Sequence, residues 1–170
     1  MLEFDIRCVR SIYTLVYIKK VDIFGFKSFG FKTTSVNFEP GLISISGPNG
    51  SGKSNILDAI IFAMGENKAR IMRAPNLRKL IHDIDGNRHG PKLTRVKVQF
   101  DNSDRRIPVN SDLVTITRQM SDKGESDYHL DGKKINRNRL LDMFEMANAD
   151  LGPLNAVQQG TVTRISEMTN

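Results

Sequence analysis

A chain of 170 residues that is 39% hydrophobic is long enough to bury one core and too apolar to be a disordered segment. Its net charge of +6 favours acidic partners, nucleic acid and polyphosphate among them. The single cysteine, Cys8, excludes an internal disulfide and fits a reducing compartment.

Residues 1–15 carry no regular pattern and are read as an N-terminal extension outside the fold. The apolar stretch SIYTLVYI (11–18) is far short of the ~20 residues needed to cross a membrane. Lys19 and Lys20 follow it where a secretory signal would have a cleavage site of small residues. VYIKKVDIFGF (16–26) alternates and predicts a strand. Gly25 and Gly30 bracket a short connection, and TSVNFEP (34–40) predicts a second strand closed by Pro40. GLISISG (41–47) is rich in β-branched residues and predicts a third strand, running straight into GPNGSGKS (47–54).

That octapeptide fits the pattern Gly, four residues, Gly-Lys-Ser/Thr, with Gly47, Gly52, Lys53 and Ser54 in the fixed positions. A phosphate chain must be wrapped closely by backbone N–H groups. Glycines permit the approach because they lack a Cβ and tolerate positive φ. Lys53 would reach the β- and γ-phosphates, and the Ser54 hydroxyl would take a magnesium position. NILDAIIFAMG (55–65) predicts the helix that should follow, its N-terminus favouring anions, with Leu57, Ile60, Ile61 and Met64 on one face and Gly65 as the stop.

RAPNLRKLIHD (73–83) reads as a short helix or ordered connection, and DGNRHGPK (85–92) as a loop. LTRVKVQFDN (93–102), LVTITRQM (113–120) and SDYHLDG (126–132) alternate as half-exposed strands, at a spacing that suggests an antiparallel meander. NRLLDMFEMAN (138–148) predicts a helix with Leu140, Leu141, Phe144 and Met146–Ala147 on one face. Two segments hold basic residues with no acidic ones: 68–79 (Lys68, Arg70, Arg73, Arg78, Lys79) and 132–139 (Lys133, Lys134, Arg137, Arg139). His82, His89 and His129 lack metal-ligand spacing and read as surface or turn residues.

Taken in order, these pieces resemble the N-terminal half of the ATPase head of structural maintenance of chromosomes (SMC) proteins, the prokaryotic type above all. YIKKVDIFGFKSFG resembles the family's opening strand and FKSF segment, and GPNGSGKSNILDAIIFAMGE its phosphate loop. KARIMRAPNLRKLI resembles its arginine-containing segment, YHLDGKKINRNRL its hairpin, and VQQGTVTRI its glutamine loop. The likeness covers about residues 17–168. It implies an α/β P-loop NTPase of the ABC-ATPase head type, N-terminal half, over 16–170, with mostly antiparallel strands around the P-loop strand and helix. The chain would end where the first coiled-coil arm begins.

The resemblance also implies a nucleotide site for ATP and Mg²⁺ on Gly47, Pro48, Asn49, Gly50, Ser51, Gly52, Lys53, Ser54 and Asn55, with Lys27 and Ser28 close by. Gln159 would complete the magnesium shell beside Ser54, although Gln158 next to it is an alternative. Arg73 would be the cis arginine near the phosphates, joining Lys53 and Gln159 in the catalytic set. Implied partners are the C-terminal half of the same head, a second SMC head in a homodimer, a kleisin-type subunit and DNA without sequence preference. No membrane partner is implied, and the location would be cytoplasmic, on the chromosome.

The sequence lacks an apolar run ending in Asp-Glu and a glycine-rich LSGG-type signature, both of which the family places in its C-terminal half. The expectation is therefore a fragment or truncated product that binds ATP weakly and does not hydrolyse it alone. Val16 stands where the family begins with Met, which suggests a non-AUG start and an over-extended N-terminus. Three alternatives remain at this stage: a double-strand-break repair or recombination ATPase of the same head type, a transporter nucleotide-binding subunit, and a non-catalytic interaction module.

Overall fold

The computed structural model describes residues 16–41, 43–82 and 92–147. Its frame is one antiparallel sheet of six strands in the order β2-β1-β3-β4-β5-β6. These are β1 Ile18–Phe24, β2 Thr34–Asn37, β3 Leu93–Asp101, β4 Leu113–Ser121, β5 Ser126–Leu130 and β6 Lys133–Ile135. Two α-helices, α1 Lys53–Ala63 and α2 Arg137–Met146, and two 3-10 turns, Ala69–Met72 and Leu77–Leu80, complete the described elements.

Period-2 patterning sorts the strands into an inner and an outer face. Register aligns Val21 with Val98, Val98 with Ile116 and Ile116 with Leu130, one apolar row across four strands. Next to it, Ile23, Val96, Arg118 and Tyr128 form a second row. α1 lies over β3 and β4, and the Phe62 ring packs 5.4 Å from that of Phe26. On the outer face Asp22 stands opposite Lys97, and Lys97 opposite Thr117. The meander β3–β4–β5 and its short extension into β6 confirm the alternating segments read from the sequence.

Three expectations are corrected. The segment 43–48 forms no strand, and Ile43 and Ile45 are 44% and 43% exposed. β-branched composition favours a strand only when a neighbour accepts its backbone hydrogen bonds. Among the described residues no strand pairs with this one. The buried face of α1 is Asp58, Ala59, Ile61, Phe62 and Ala63, whereas Leu57 is exposed and Ile60 half-buried. The helix is apolar on most sides, so packing against the sheet, led by Phe62, selected the face. On α2 the inward residues are Leu140, Met143 and Phe144, with Ala147 just beyond; Leu141 is half-buried and Met146 is 72% exposed. There Phe144 meets the edge of Phe100, 5.8 Å between ring centres, and that contact sets the rotation of the helix.

The stop signal for α1 holds: Gly65 takes φ 91°, and the backbone N–H groups of Met64 and Gly65 bond back to Ile60 and Phe62. Two arginines from elsewhere close this helix end. Arg118, on the inner face of β4, donates to the carbonyls of Phe62 (3.0 Å) and Glu66 (2.7 Å). Arg137 donates from Nε to the Gly65 carbonyl at 2.7 Å. Positive charge here complements the negative end of the helix dipole. Burial pulls the Arg118 pKa down to about 10, so its guanidinium stays charged at neutral pH.

Candidate phosphate-binding site

The loop Gly47–Gly52 delivers the chain into α1, whose first residue is Lys53. Gly52 precedes the helix with φ 91°, a conformation that favours glycine. A Cβ at Gly52 would stand 2.9 Å from the Ser28 Oγ, so close packing against the FKSF segment also demands glycine. Asn55 donates from Nδ2 to that same Ser28 Oγ at 2.9 Å, tying the first turn of α1 to the segment behind it. α1 has no side-chain N-cap, which leaves its first backbone N–H groups unbonded by a capping side chain. That is the arrangement an anion satisfies.

A cavity of about 520 Å³ opens over this helix start, lined by Asn49, Gly50, Gly52, Lys53, Ser54, Asn55 and Arg73. Lys53 donates from Nζ to the carbonyls of Gly47 and Pro48, each at 2.6 Å, which folds the ammonium into the loop. Ser54 is exposed at the cavity. Its hydroxyl is a hard oxygen donor of the kind Mg²⁺ prefers when most of the metal shell is water and phosphate. Among the described residues no cluster of three or more His, Cys, Asp or Glu could hold a metal unaided.

The residues expected at the site fall into three groups. Asn49, Gly50, Gly52, Lys53, Ser54, Asn55 and Arg73 line the cavity; Gly47, Pro48 and Ser51 are not in its lining and instead face the Lys53 ammonium. Lys27 and Ser28 lie beneath it: Ser28 packs behind Gly52, and the Lys27 ammonium points to the Asp58 carboxylate (2.5 Å) and the Met72 carbonyl (2.5 Å). Gln158 and Gln159 lie outside the described residues.

Asp58 is the member that sequence reasoning missed. Its carboxylate is 1% exposed and takes Lys27 at 2.5 Å and Arg73 at 2.6 Å on the same oxygen, Oδ2. Arg73 Nη2 also donates to the Ser54 carbonyl at 2.7 Å. A carboxylate in an otherwise apolar helix, NILDAIIFA, was the available signal, because a buried charge requires a partner. Among the histidines, His82 sits half-buried against the Lys27 carbonyl, with Nδ1 2.6 Å from that oxygen, and edge-on to Phe31. His129 is on β5, and His89 lies outside the described residues.

Comparison with known proteins follows the same lines. The RecF/RecN/SMC N terminal domain matches residues 17–154. The chromosome partition protein Smc of Pyrococcus furiosus is 39% identical over 153 residues, 90% of this chain. The chain spans 13% of the length of that relative. A solved structure concerned with ATP-driven dimerization and DNA-stimulated activation of SMC ATPases is 38% identical with a TM-score of 0.83, covering 90% of this chain and 92% of its own. The Smc head of Pyrococcus furiosus with an extended coiled coil, bound to the C-terminal domain of ScpA, is also 38% identical with a TM-score of 0.83, covering 91% of this chain and 39% of its own. The glycine-rich loop at the head of α1, the antiparallel sheet beside it and these similarities lead to one assignment: the chain belongs to the RecF/RecN/SMC N-terminal domain family, as the N-terminal part of an SMC-type head.

Proposed function

We propose that this chain is the ATP-binding half of an SMC head, and that it works with a C-terminal half in ATP-gated chromosome organisation. The carrying observation is the cavity over the start of α1, where Asn49, Gly50, Gly52 to Asn55 and Arg73 bring backbone and two cations to one space. There Lys53 exchanges the Gly47 and Pro48 carbonyls for β- and γ-phosphate oxygens. Arg73 meets the phosphate chain from beside the first turn of α1. Ser54, with Gln159, would supply protein oxygens to Mg²⁺, whose chemistry there would be to neutralise phosphate charge.

Residues 16–170 form the half-head and residues 1–15 an extension to it. Ile43 and Ile45 mark where the C-terminal half docks, supplying the strand neighbours that 43–48 lacks among the described residues. That half brings the second magnesium ligand and the general base, so this chain alone binds ATP without turning it over. In the assembled protein, two heads close over ATP in a homodimer, a kleisin-type subunit joins them, and basic side chains such as Arg70, Lys79, Lys133 and Arg137 meet DNA phosphates without reading sequence. The working location is the cytoplasm, on the chromosome. Among the described residues no helix is long and apolar enough to cross a membrane.

Calorimetric titration of the chain with ATP–Mg²⁺, beside Lys53→Ala and then after mixing with the C-terminal half, tests the reading. Binding that Lys53→Ala abolishes, with hydrolysis only on mixing, is the expected result. Binding that ignores Lys53, or steady turnover by the pure chain, overturns it.

A further inference from the structure

Asp58 stands five residues along the chain from the phosphate-loop lysine, on the buried face of α1. One of its oxygens, Oδ2, accepts from Lys27 Nζ at 2.5 Å and from Arg73 Nη2 at 2.6 Å. The other, Oδ1, is buried and has no hydrogen-bond partner among the described residues. Lys27 Nζ donates in addition to the carbonyl of Met72, the residue before Arg73. Arg73 Nη2 donates in addition to the carbonyl of Ser54, on the first turn of α1. Both the backbone leading to Arg73 and its guanidinium are thus held to the helix that carries the phosphate loop.

Two observations indicate more than a buried ion pair. Lys27 and Arg73 are both non-glycine residues with left-handed backbone, φ 49° and 52°. L-residues adopt that conformation where the surroundings impose it, and such positions gather at ligand sites. The exposures are also graded: the Asp58 side chain is 1% exposed, Lys27 14% and Arg73 40%. One cation is enclosed with the carboxylate, while the other reaches the cavity wall.

We propose that Asp58 is the positioning residue of the phosphate site, setting Arg73 over the first turn of α1 with Lys27 as the counter-charge that stays behind. The inference rests on the ATP-binding reading and deepens it. A buried carboxylate with a single cation would be stranded whenever that cation turned to a phosphate. With two, Arg73 can offer its remaining guanidinium N–H groups to phosphate while Nη2 stays on Asp58 Oδ2 and Lys27 keeps the carboxylate paired. Arg73 acts on the ligand and Asp58 acts through Arg73.

The test is ATP–Mg²⁺ affinity of the 170-residue chain and four variants: Lys53→Ala, Arg73→Ala, Asp58→Asn, and the Arg73→Ala/Asp58→Asn double. Asp58→Asn and Arg73→Ala each weaken binding by about fivefold to tenfold, and the double is within about twofold of the weaker single, because residues acting as one unit are not additive. A purely structural Asp58 gives a double equal to the product of the two singles, and that result overturns the inference, as does wild-type affinity in Asp58→Asn. Wild-type affinity in Lys53→Ala instead removes the ATP reading, and this inference with it. If circular dichroism shows Asp58→Asn unfolded, Asp58→Glu takes its place. Glutamate keeps the charge but displaces Arg73 by a methylene. Adding Arg73→Ala to it should cost less than about twofold, and full additivity refutes the role.

Discussion

Replacing Arg118 by methionine tests whether the guanidinium holds α1 to the sheet. Arg118 is 1% exposed and lies between two rings, its Cζ 4.1 Å from the Phe62 ring centre and 5.0 Å from that of Tyr128. It donates to two carbonyls at the C-terminal end of α1, Phe62 and Glu66, and to the Asn67 side chain and Ser126 Oγ. Methionine fills most of the volume but donates nothing. The Glu66 carbonyl left unbonded costs about 1–3 kcal/mol, whereas the Phe62 carbonyl keeps the Gly65 N–H. The lost Asn67 and Ser126 bonds add about 1 kcal/mol, and the lost ring contacts about 2 kcal/mol. Against this, methionine removes the burden of a desolvated cation. Burial pulls the Arg118 pKa to about 10, a displacement worth roughly 3 kcal/mol. The hydrogen-bond and ring losses outweigh that relief, leaving a net destabilisation of about 1–3 kcal/mol. Urea unfolding followed by far-ultraviolet circular dichroism reads it as a lower midpoint with unchanged slope. A midpoint equal to wild type would show that the carbonyls re-pair with water, and the anchoring role would be refuted.

Other outcomes follow from the same structure. Asn102 is 1% exposed and offers its side-chain amide to the carbonyls of Ile107, Val109 and Ser111 while accepting from the Ile107 N–H. Asn102→Asp faces a carboxylate with three carbonyl oxygens and should cost about 3 kcal/mol or more at neutral pH in urea unfolding. Its folded pKa would be raised, so the deficit should shrink as pH falls towards the ordinary aspartate value; a deficit constant with pH would refute this account. Asp101 is held below the usual carboxylate range by Ser103, whose hydroxyl and N–H donate to it, and by Lys19. The stabilisation is present above the unfolded value near 3.8 and fades as pH falls through the lower folded value. Asp101→Asn should lose up to about 1 kcal/mol at pH 7 and nothing below the folded pKa, by denaturant melts at both. Gly52→Ala pays twice, in backbone strain at φ 91° and in a Cβ 2.9 Å from Ser28 Oγ. It should lower the thermal midpoint by the equivalent of about 1 kcal/mol or more and weaken ATP–Mg²⁺ binding; wild-type behaviour in both would refute the close-packing role.

What the sequence by itself determined here is local. The alternation in 93–101 and 113–121 yields β3 and β4 because side-chain period is a property of the strand alone. The loop Gly47–Ser54 is legible because its chemistry is carried by consecutive residues, and Gly65 ends α1 by its own backbone freedom. Even Arg118 was legible in principle, since it falls in phase with Val114, Ile116 and Met120. Tertiary structure decided what depends on a distant neighbour. Residues 43–48 have strand composition and no strand, because a strand needs a neighbour for its backbone hydrogen bonds and none of the described strands pairs with it. α1 is apolar on more than one side, and only the sheet could select Phe62 over Leu57. Lys27, Asp58 and Arg73 are 31 and 15 residues apart along the chain. They meet because a buried carboxylate must gather cations from wherever the fold brings them, a demand that sequence spacing does not record.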